Sequence, residues 1–312
     1  MPSIIFTNSD SQSLEIDLSK TTNKDALDQG FKHLDKAVYK NKKNQTKNQN
    51  EKQKPFKLSK GYAKLNPNTL TFSIPAGRIC AIGADKCLSM AIEKDGKRSI
   101  QDGPNCEFRC FAASQEVLFP SVYESRKKNL ELLMESLKSD QGYFKTYELI
   151  NDSLQKHLPK NGRVKKVRIH VSGDYFSSIY LKCWLAVARL NPNLKFYSYS
   201  KSLSLFGTNL SLPDNFYLTA SVGGKLDHLI HKVYFKRYAI VVNNEDEAKA
   251  LGMLHIGKPY PVDHDDSHCF IKDEPFALLV HGVQPKGSTA SKAISERKKK
   301  KEFIGYSRGK KS

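Results

Sequence analysis

Four of the six cysteines fall within one stretch: Cys80, Cys87, Cys106 and Cys110, spaced C-x6-C, C-x18-C and C-x3-C. Thiolates are soft donors, and a bound metal lowers the thiol pKa, so the set suits an iron–sulfur cluster or zinc. Three thiolates on a four-iron cluster leave one iron open to substrate, whereas four close it into a structural or electron-transfer centre. Zinc divides into open and closed sites in the same way. The alternative is a group of free thiols in the core.

Other side chains could do chemistry beside this cluster. His170 and Asp174 flank Ser172-Gly173 in the run VRIHVSGDYFS. Histidine changes charge near neutral pH, so the pair could serve as acid and base. Equally, Asp174 could cap the helix that follows, and strand alternation turns His170 away from its apolar neighbours. Gly223-Gly224 could bring backbone N–H groups to a phosphate or carboxylate. Asp227 could contact the same ligand or cap a helix, and Lys201 could face an anion. Asp263-His264-Asp265-Asp266 reads either as a divalent-metal site fit for nuclease chemistry or as an acidic surface loop. Cys183 sits on an apolar helix face and reads as core; Cys269 reads as a free thiol or a remote ligand.

Positioning these groups requires an α/β fold. Apolar strands are expected near 69–74, 167–171, 195–202, 215–221, 238–244 and 276–282. Between them, Leu130, Leu133, Met134 and Leu137 repeat at helical spacing after a Ser121/Glu124 capping-box pattern. Tyr147, Ile150 and Leu154 mark a second helix over 143–157. A third begins near Ser177 and places Tyr180, Cys183, Trp184, Val187 and Ala188 on one face. A short helix over 245–251 is expected to stop at Gly252. Strands alternating with helices predict a mostly parallel sheet, either a full or a partial (β/α) barrel. Most strands end in polar or small residues, which predicts one functional rim at the carboxyl ends.

The chain has 312 residues and a net charge of +19. That excess points to a polyanionic partner, nucleic acid first, or to solvated ends. Residues 1–60 read as an extension with an amphipathic candidate at 25–34 and a Lys/Asn/Gln-rich linker at 40–54. Residues 61–290 form the cysteine-bearing α/β domain, and 291–312 a disordered basic tail. Linker and tail could hold phosphates without reading sequence. No apolar run is long enough to span a bilayer, and no leader is evident. A reducing cytoplasm is therefore expected, where metal binding or free thiols outrank disulfides.

The runs CAIGADKCLSM and CEFRCFAASQEVLFPSVYESRKKNLELL resemble the phage and plasmid family named after mycobacteriophage gene product eighty-eight. So do VRIHVSGDYFSSIYLKCWLAVARLNPNLKFYSYSKSL, SVGGKLDHLI, VDHDDS and HGVQPKGS, so that the likeness spans roughly 62–290. It implies an architecture more than a reaction, with Cys80, Cys87 and Cys110 as the recurring cysteines and Cys106 as an optional fourth. The stretch is also similar to radical S-adenosylmethionine enzymes, which carry a C-x3-C-x2-C loop after the first strand of an α/β barrel. Cys106, Cys110 and Phe111 fit the first part of that loop, but Ala113 stands where the third cysteine belongs. That likeness implies an iron–sulfur cluster completed by Cys80 or Cys87, with S-adenosylmethionine as a co-substrate. Two functions follow as expectations. One is an iron–sulfur, radical-S-adenosylmethionine-like enzyme acting on or near nucleic acid, with His170, Asp174, Lys201, Gly223, Gly224 and Asp227 around the ligand. The other is a basic nucleic-acid-binding protein with a purely structural zinc or iron–sulfur site.

Overall fold

The computed structural model describes residues 3–7, 13–17 and 54–302, apart from 62–64, 66–67, 78, 81–82, 140, 208–209 and 231–234. The 25–34 candidate helix, linker residues 40–53 and tail residues 303–312 lie outside that set.

Strands β1 (Ser3–Thr7) and β2 (Ser13–Asp17) form an antiparallel pair. The main chain of elements follows: β3 (Ser59–Lys60), β4 (Thr69–Phe72), and a hairpin of β5 (Ser89–Lys94) and β6 (Lys97–Asp102). Three helices come next, α1 (Phe111–Leu118), α2 (Pro120–Leu137) and α3 (Gly142–His157). After β7 (Lys166–Ile169) come α4 (Ser178–Leu190), β8 (Lys195–Ser200), β9 (Phe216–Ser221) and β10 (Tyr238–Val242). Helix α5 (Glu245–Ile256), β11 (Phe276–Leu279) and α6 (Thr289–Lys299) end the described fold.

One seven-stranded sheet organises the molecule, in the order β11-β10-β9-β8-β7-β4-β3. From β4 to β11 every pairing is parallel, and each strand lies beside its predecessor in the sheet. Such a winding, with connections of one hand, keeps its helices on one face. The cores agree. Leu70, Phe72, Val167, Ile169 and Phe196 pack with Ile150, Leu154 and Trp184 of α3 and α4. Ala220, Val242, Ala277 and Leu279 pack with Ala248 of α5. Alternation sends Arg168, Tyr197, Tyr199, Thr219 and Ser221 to the opposite face.

The sheet is open among the described residues, so the full-barrel expectation is corrected. β3 pairs antiparallel with β4 and occupies the edge that closure onto β11 would need.

Several expected elements change in detail. Cys183, Tyr180, Trp184, Val187 and Ala188 are all buried on α4, and Ser177 Oγ caps that helix by accepting from Tyr180 N at 3.2 Å. The Ser121/Glu124 capping box does not form: Pro120 is already inside α2, which starts without a side-chain cap. Proline suits that position because its missing N–H would be unpaired there anyway. Helix α5 runs through Gly252 and stops at Gly257, whose φ of 70° is the left-handed conformation a C-cap uses. Gly252 instead answers a close approach, since a Cβ there would sit 2.2 Å from Tyr260 N. The domain also starts earlier than Gly61. Phe56 and Leu58 are core residues, and Phe56 N donates to Ser153 Oγ at 2.7 Å. Finally, the segment expected as a tail from 291 begins as helix. Ala290, Ala293 and Arg297 of α6 are buried, and Arg297 donates to the Val280 carbonyl.

Candidate functional site

The cysteine stretch folds over the carboxyl ends of the parallel strands. Gly77 has a φ of 95° and turns the chain, so that Cys80 N donates to Gly77 O at 2.8 Å. The loop after Cys80 is tied down by backbone. Lys86 N donates to Gly223 O at 3.0 Å, Lys225 N donates to Gly83 O at 2.8 Å, and Ala84 forms a β-bridge with Gly224. Gly83 passes so near β8 that a Cβ would lie 2.0 Å from Lys201 O. Ser89, at the start of β5, accepts from Cys110 N at 3.1 Å and so fixes the entry to α1. From the far edge, Gln284 clamps the residue before Cys110, accepting from Arg109 N at 2.9 Å and donating to Arg109 O at 3.0 Å. The Phe111 ring lies 4.9 Å from that of His281.

These contacts enclose a cleft of about 840 Å³ lined by Cys80, Cys87 and Cys110, together with His170, Asp174, Lys201 and Gly223. Cys106 is turned elsewhere, its thiol 3.3 Å from Ser89 Oγ and 3.3 Å from the Phe108 carbonyl. Desolvation raises the Cys80 pKa well above its ordinary value, reinforced by the negative potentials of Asp174, Cys110 and Cys87. The Cys110 thiol is pushed up to about 12, first by desolvation and then by Cys87. Burial thus favours the protonated thiol at both Cys80 and Cys110. Among the described residues, no three His, Cys, Asp or Glu side chains are drawn together as a metal-holding group.

The remaining expected residues are mostly committed to the scaffold. The His170 backbone is left-handed, with a φ of 62°. Its ring lies 4.5 Å from that of Tyr175 and 6.1 Å from that of Phe72, and Nε2 pairs with Tyr180 Oη at 2.8 Å. The left-handed turn reverses the alternation that sequence predicted, so the ring enters the core, where burial pulls its pKa down to about 3. Asp174 is buried and accepts from Tyr175 N, Ser200 Oγ, Lys201 N and Ser202 N, at 2.7, 2.7, 2.8 and 3.2 Å. It fastens the end of β7 to the end of β8. Burial raises its pKa against the pull of those donors.

The glycine pair is also occupied. Asp227 accepts from Gly223 N and Gly224 N, both at 2.8 Å. A carboxylate of the chain itself thus takes the N–H groups expected to meet a ligand. Lys201 Nζ donates to Ser221 Oγ at 2.7 Å and to Val222 O at 2.5 Å, at the lip of the cleft.

Sequence reasoning missed two features. One is the buried pair of Glu116 and Arg126, 2.8 Å apart, beneath α1. The same carboxylate oxygen accepts from Ala76 N and Ser172 Oγ, both at 3.1 Å. The other is Asp266. It pairs with Arg168 at 2.6 Å and accepts from Tyr197 and Tyr199 hydroxyls on the inner face of the sheet. The Asp263–Asp266 run is therefore not a surface loop throughout: Asp263 and Asp266 are buried, His264 and Asp265 are exposed, and its last member is an internal partner. Cys269 is buried among Tyr197, Ala239 and Phe276 and does not line the cleft with Cys80, Cys87 and Cys110. The polar alternation of β7 and β8 was the signal for the Arg168 face. No helix among the described residues is long and apolar enough to cross a membrane.

A family model described as Gene product 88 matches residues 34–302. The Gene 88 protein of Mycobacterium phage L5 is 29% identical over 99 residues, covering 31% of this chain and 39% of the relative. The chain thus matches well under half the length of that relative. No solved structure matches.

Proposed function

The chain belongs to the gene product 88 family, and on that premise we propose that Cys80, Cys87 and Cys110 hold a metal centre, an iron–sulfur cluster, at the carboxyl rim of the sheet. The observation that carries this reading is the sorting of the cysteines. Three line one cleft, while Cys106 bonds to Ser89 and stands aside. The donor chemistry fits: three soft sulfur donors become good ligands once a metal lowers the thiol pKa. A cluster on three thiolates supplies one-electron chemistry at an iron left free for a co-substrate such as S-adenosylmethionine.

Around that centre the chain's own residues position and exclude. Asp174 fixes the ends of β7 and β8, Asp227 fixes the glycine turn that docks the cysteine loop, and Lys201 supplies a positive charge at the lip. The unbroken order of parallel strands supports the finer reading of a partial barrel of the radical-S-adenosylmethionine kind. The net charge of +19 supports a substrate that is, or lies near, nucleic acid.

A second reading rests on a separate observation. His170 is enclosed by aromatic rings and Asp174 is engaged by four donors, so neither stands free as an acid or base. A nucleic-acid-binding protein with a purely structural centre needs neither.

Anaerobic purification with quantitation of iron, acid-labile sulfide and zinc tests the first reading. The expected result is brown protein whose iron and sulfide are lost in Cys80→Ser, Cys87→Ser and Cys110→Ser but kept in Cys106→Ser. Colourless protein with one tightly held zinc would overturn the cluster. Equal dependence on Cys106 would overturn the open site.

A further inference from the structure

The inner face of the sheet carries a second kind of chemistry below the cysteines. Strand alternation brings Arg168, Tyr199, Ser221, Val241 and Leu278 from five successive strands to the floor of the cleft. The floor is divided. On the β7–β9 side stand a guanidinium and hydroxyls; on the β10–β11 side stand Val241 and Leu278, continued by Val280.

Arg168 is the unusual member. It is 9% exposed and donates from Nη1 to Asp266, yet its Nε has no hydrogen-bond partner among the described residues. Arginine carries five N–H donors in a fixed fork, and leaving buried ones unmet is costly. Asp266 is itself held by two tyrosine hydroxyls, so Nη1 of the guanidinium is aligned while Nε remains to be met. The carboxylates bordering the cleft do not meet it. Asp174 is taken by its four donors, Glu107 pairs with Lys86 at 2.8 Å, and Glu247 accepts from Asn243 N at 2.7 Å. Lys201, at the lip on the same side, is bonded to carbonyl and hydroxyl oxygens.

We propose that the cleft floor is a binding site for an amphipathic organic anion. Its charged group, a carboxylate or its like, meets Arg168, and its apolar body lies along Val241, Leu278 and Val280. A planar carboxylate matches the guanidinium fork, and charge-assisted bonds of this kind are stronger in a partly dry cleft. The site lies in the cysteine cleft but does not depend on a metal being held there.

Fluorescence titration with anilinonaphthalene sulfonate, an aromatic body bearing one anionic group, tests the proposal on the full chain. Expected are a single saturable site, displacement by octanoate, and much weaker displacement by octanol. The pair Arg168→Met with Asp266→Asn removes both buried charges together, and asparagine tolerates the left-handed backbone of Asp266, whose φ is 65°. It should weaken the probe at least about tenfold, the scale of one lost charge-assisted bond, with an unchanged circular-dichroism spectrum. Displacement by octanol as effective as by octanoate, unchanged affinity in the folded pair variant, or no saturable binding would each overturn the site. The octanoate–octanol comparison needs no variant and stands if the pair variant does not fold. Repeating the titration on chelator-treated protein separates this site from the metal centre: binding that survives chelation stands whether or not the cluster reading does, and binding abolished by chelation overturns the independence claimed here.

Discussion

Replacing His170 by asparagine should flatten the acid side of the protein's stability curve. The imidazole is enclosed by Phe72, Tyr175 and Tyr180, and its pKa falls from 6.5 to about 3 through burial. The unfolded chain takes up this proton below its ordinary pKa, while the folded chain refuses it until far lower. The stabilising contribution is therefore whole above the ordinary value and is lost as pH falls through the window between the two. Linkage puts the loss between about pH 7 and about pH 4.5 at roughly 2.5 kcal/mol for this one group. Asparagine accepts the left-handed backbone at this position and does not titrate. Its missing ring contacts lower stability by a pH-independent offset, which cancels in the slope. Asp102 and Asp265, whose pKa values are lowered by their hydrogen bonds, also shed stability in acid, and Asp174 does the reverse, but all three are common to both proteins. Urea denaturation at the two pH values measures the difference directly. Parallel curves for the two proteins would mean that His170 is solvated in the fold, and the acid–base role expected from sequence would return.

Two further outcomes test how the site is held. Gly83→Ala should cut metal content severalfold and expose the 80–87 loop to proteolysis while leaving the melting transition in place, because the added Cβ would meet Lys201 O at 2.0 Å; undiminished metal content refutes the docking. Glu116→Gln should cost roughly 3–5 kcal/mol in denaturant unfolding, since it strands the Arg126 charge in the interior. A loss under about 1 kcal/mol, the scale of an exposed pair, would show that the charges are solvated.

The winding of the sheet was readable because alternation and helical spacing are local signals. Val167, Ile169 and Phe196 face the helices as their spacing predicts, as do Trp184 and Val187 from the other side. Closure was not readable. It depends on what borders β4, and the decisive strand, β3, is two residues long and has no periodicity to detect. The β5–β6 hairpin was missed for a related reason. Its strands are largely solvent-facing, so the apolar alternation that marks a half-buried strand is weak.

The site divides along the same line between local and long-range causes. Cysteine spacing marked the cluster, and strand ends placed it on a rim, because both are written in adjacent residues. The fates of His170, Asp174 and the glycine pair depend on partners that spacing does not reveal. A left-handed backbone turns His170 inward, Ser200 and Lys201 claim Asp174, and Asp227 fills the turn that looked ready for a ligand. In each case a polar group attractive as chemistry is spent on holding a strand end or loop. What remains unspent is narrower than the sequence suggested: three thiols lining the cleft and the Nε donor of Arg168 on its floor. Arg168 drew no notice as a lone basic residue in an apolar strand, since its meaning lies in Asp266, 98 residues away. A chemical site on an open parallel sheet is therefore better sought among polar residues left without partners than among those whose types look reactive.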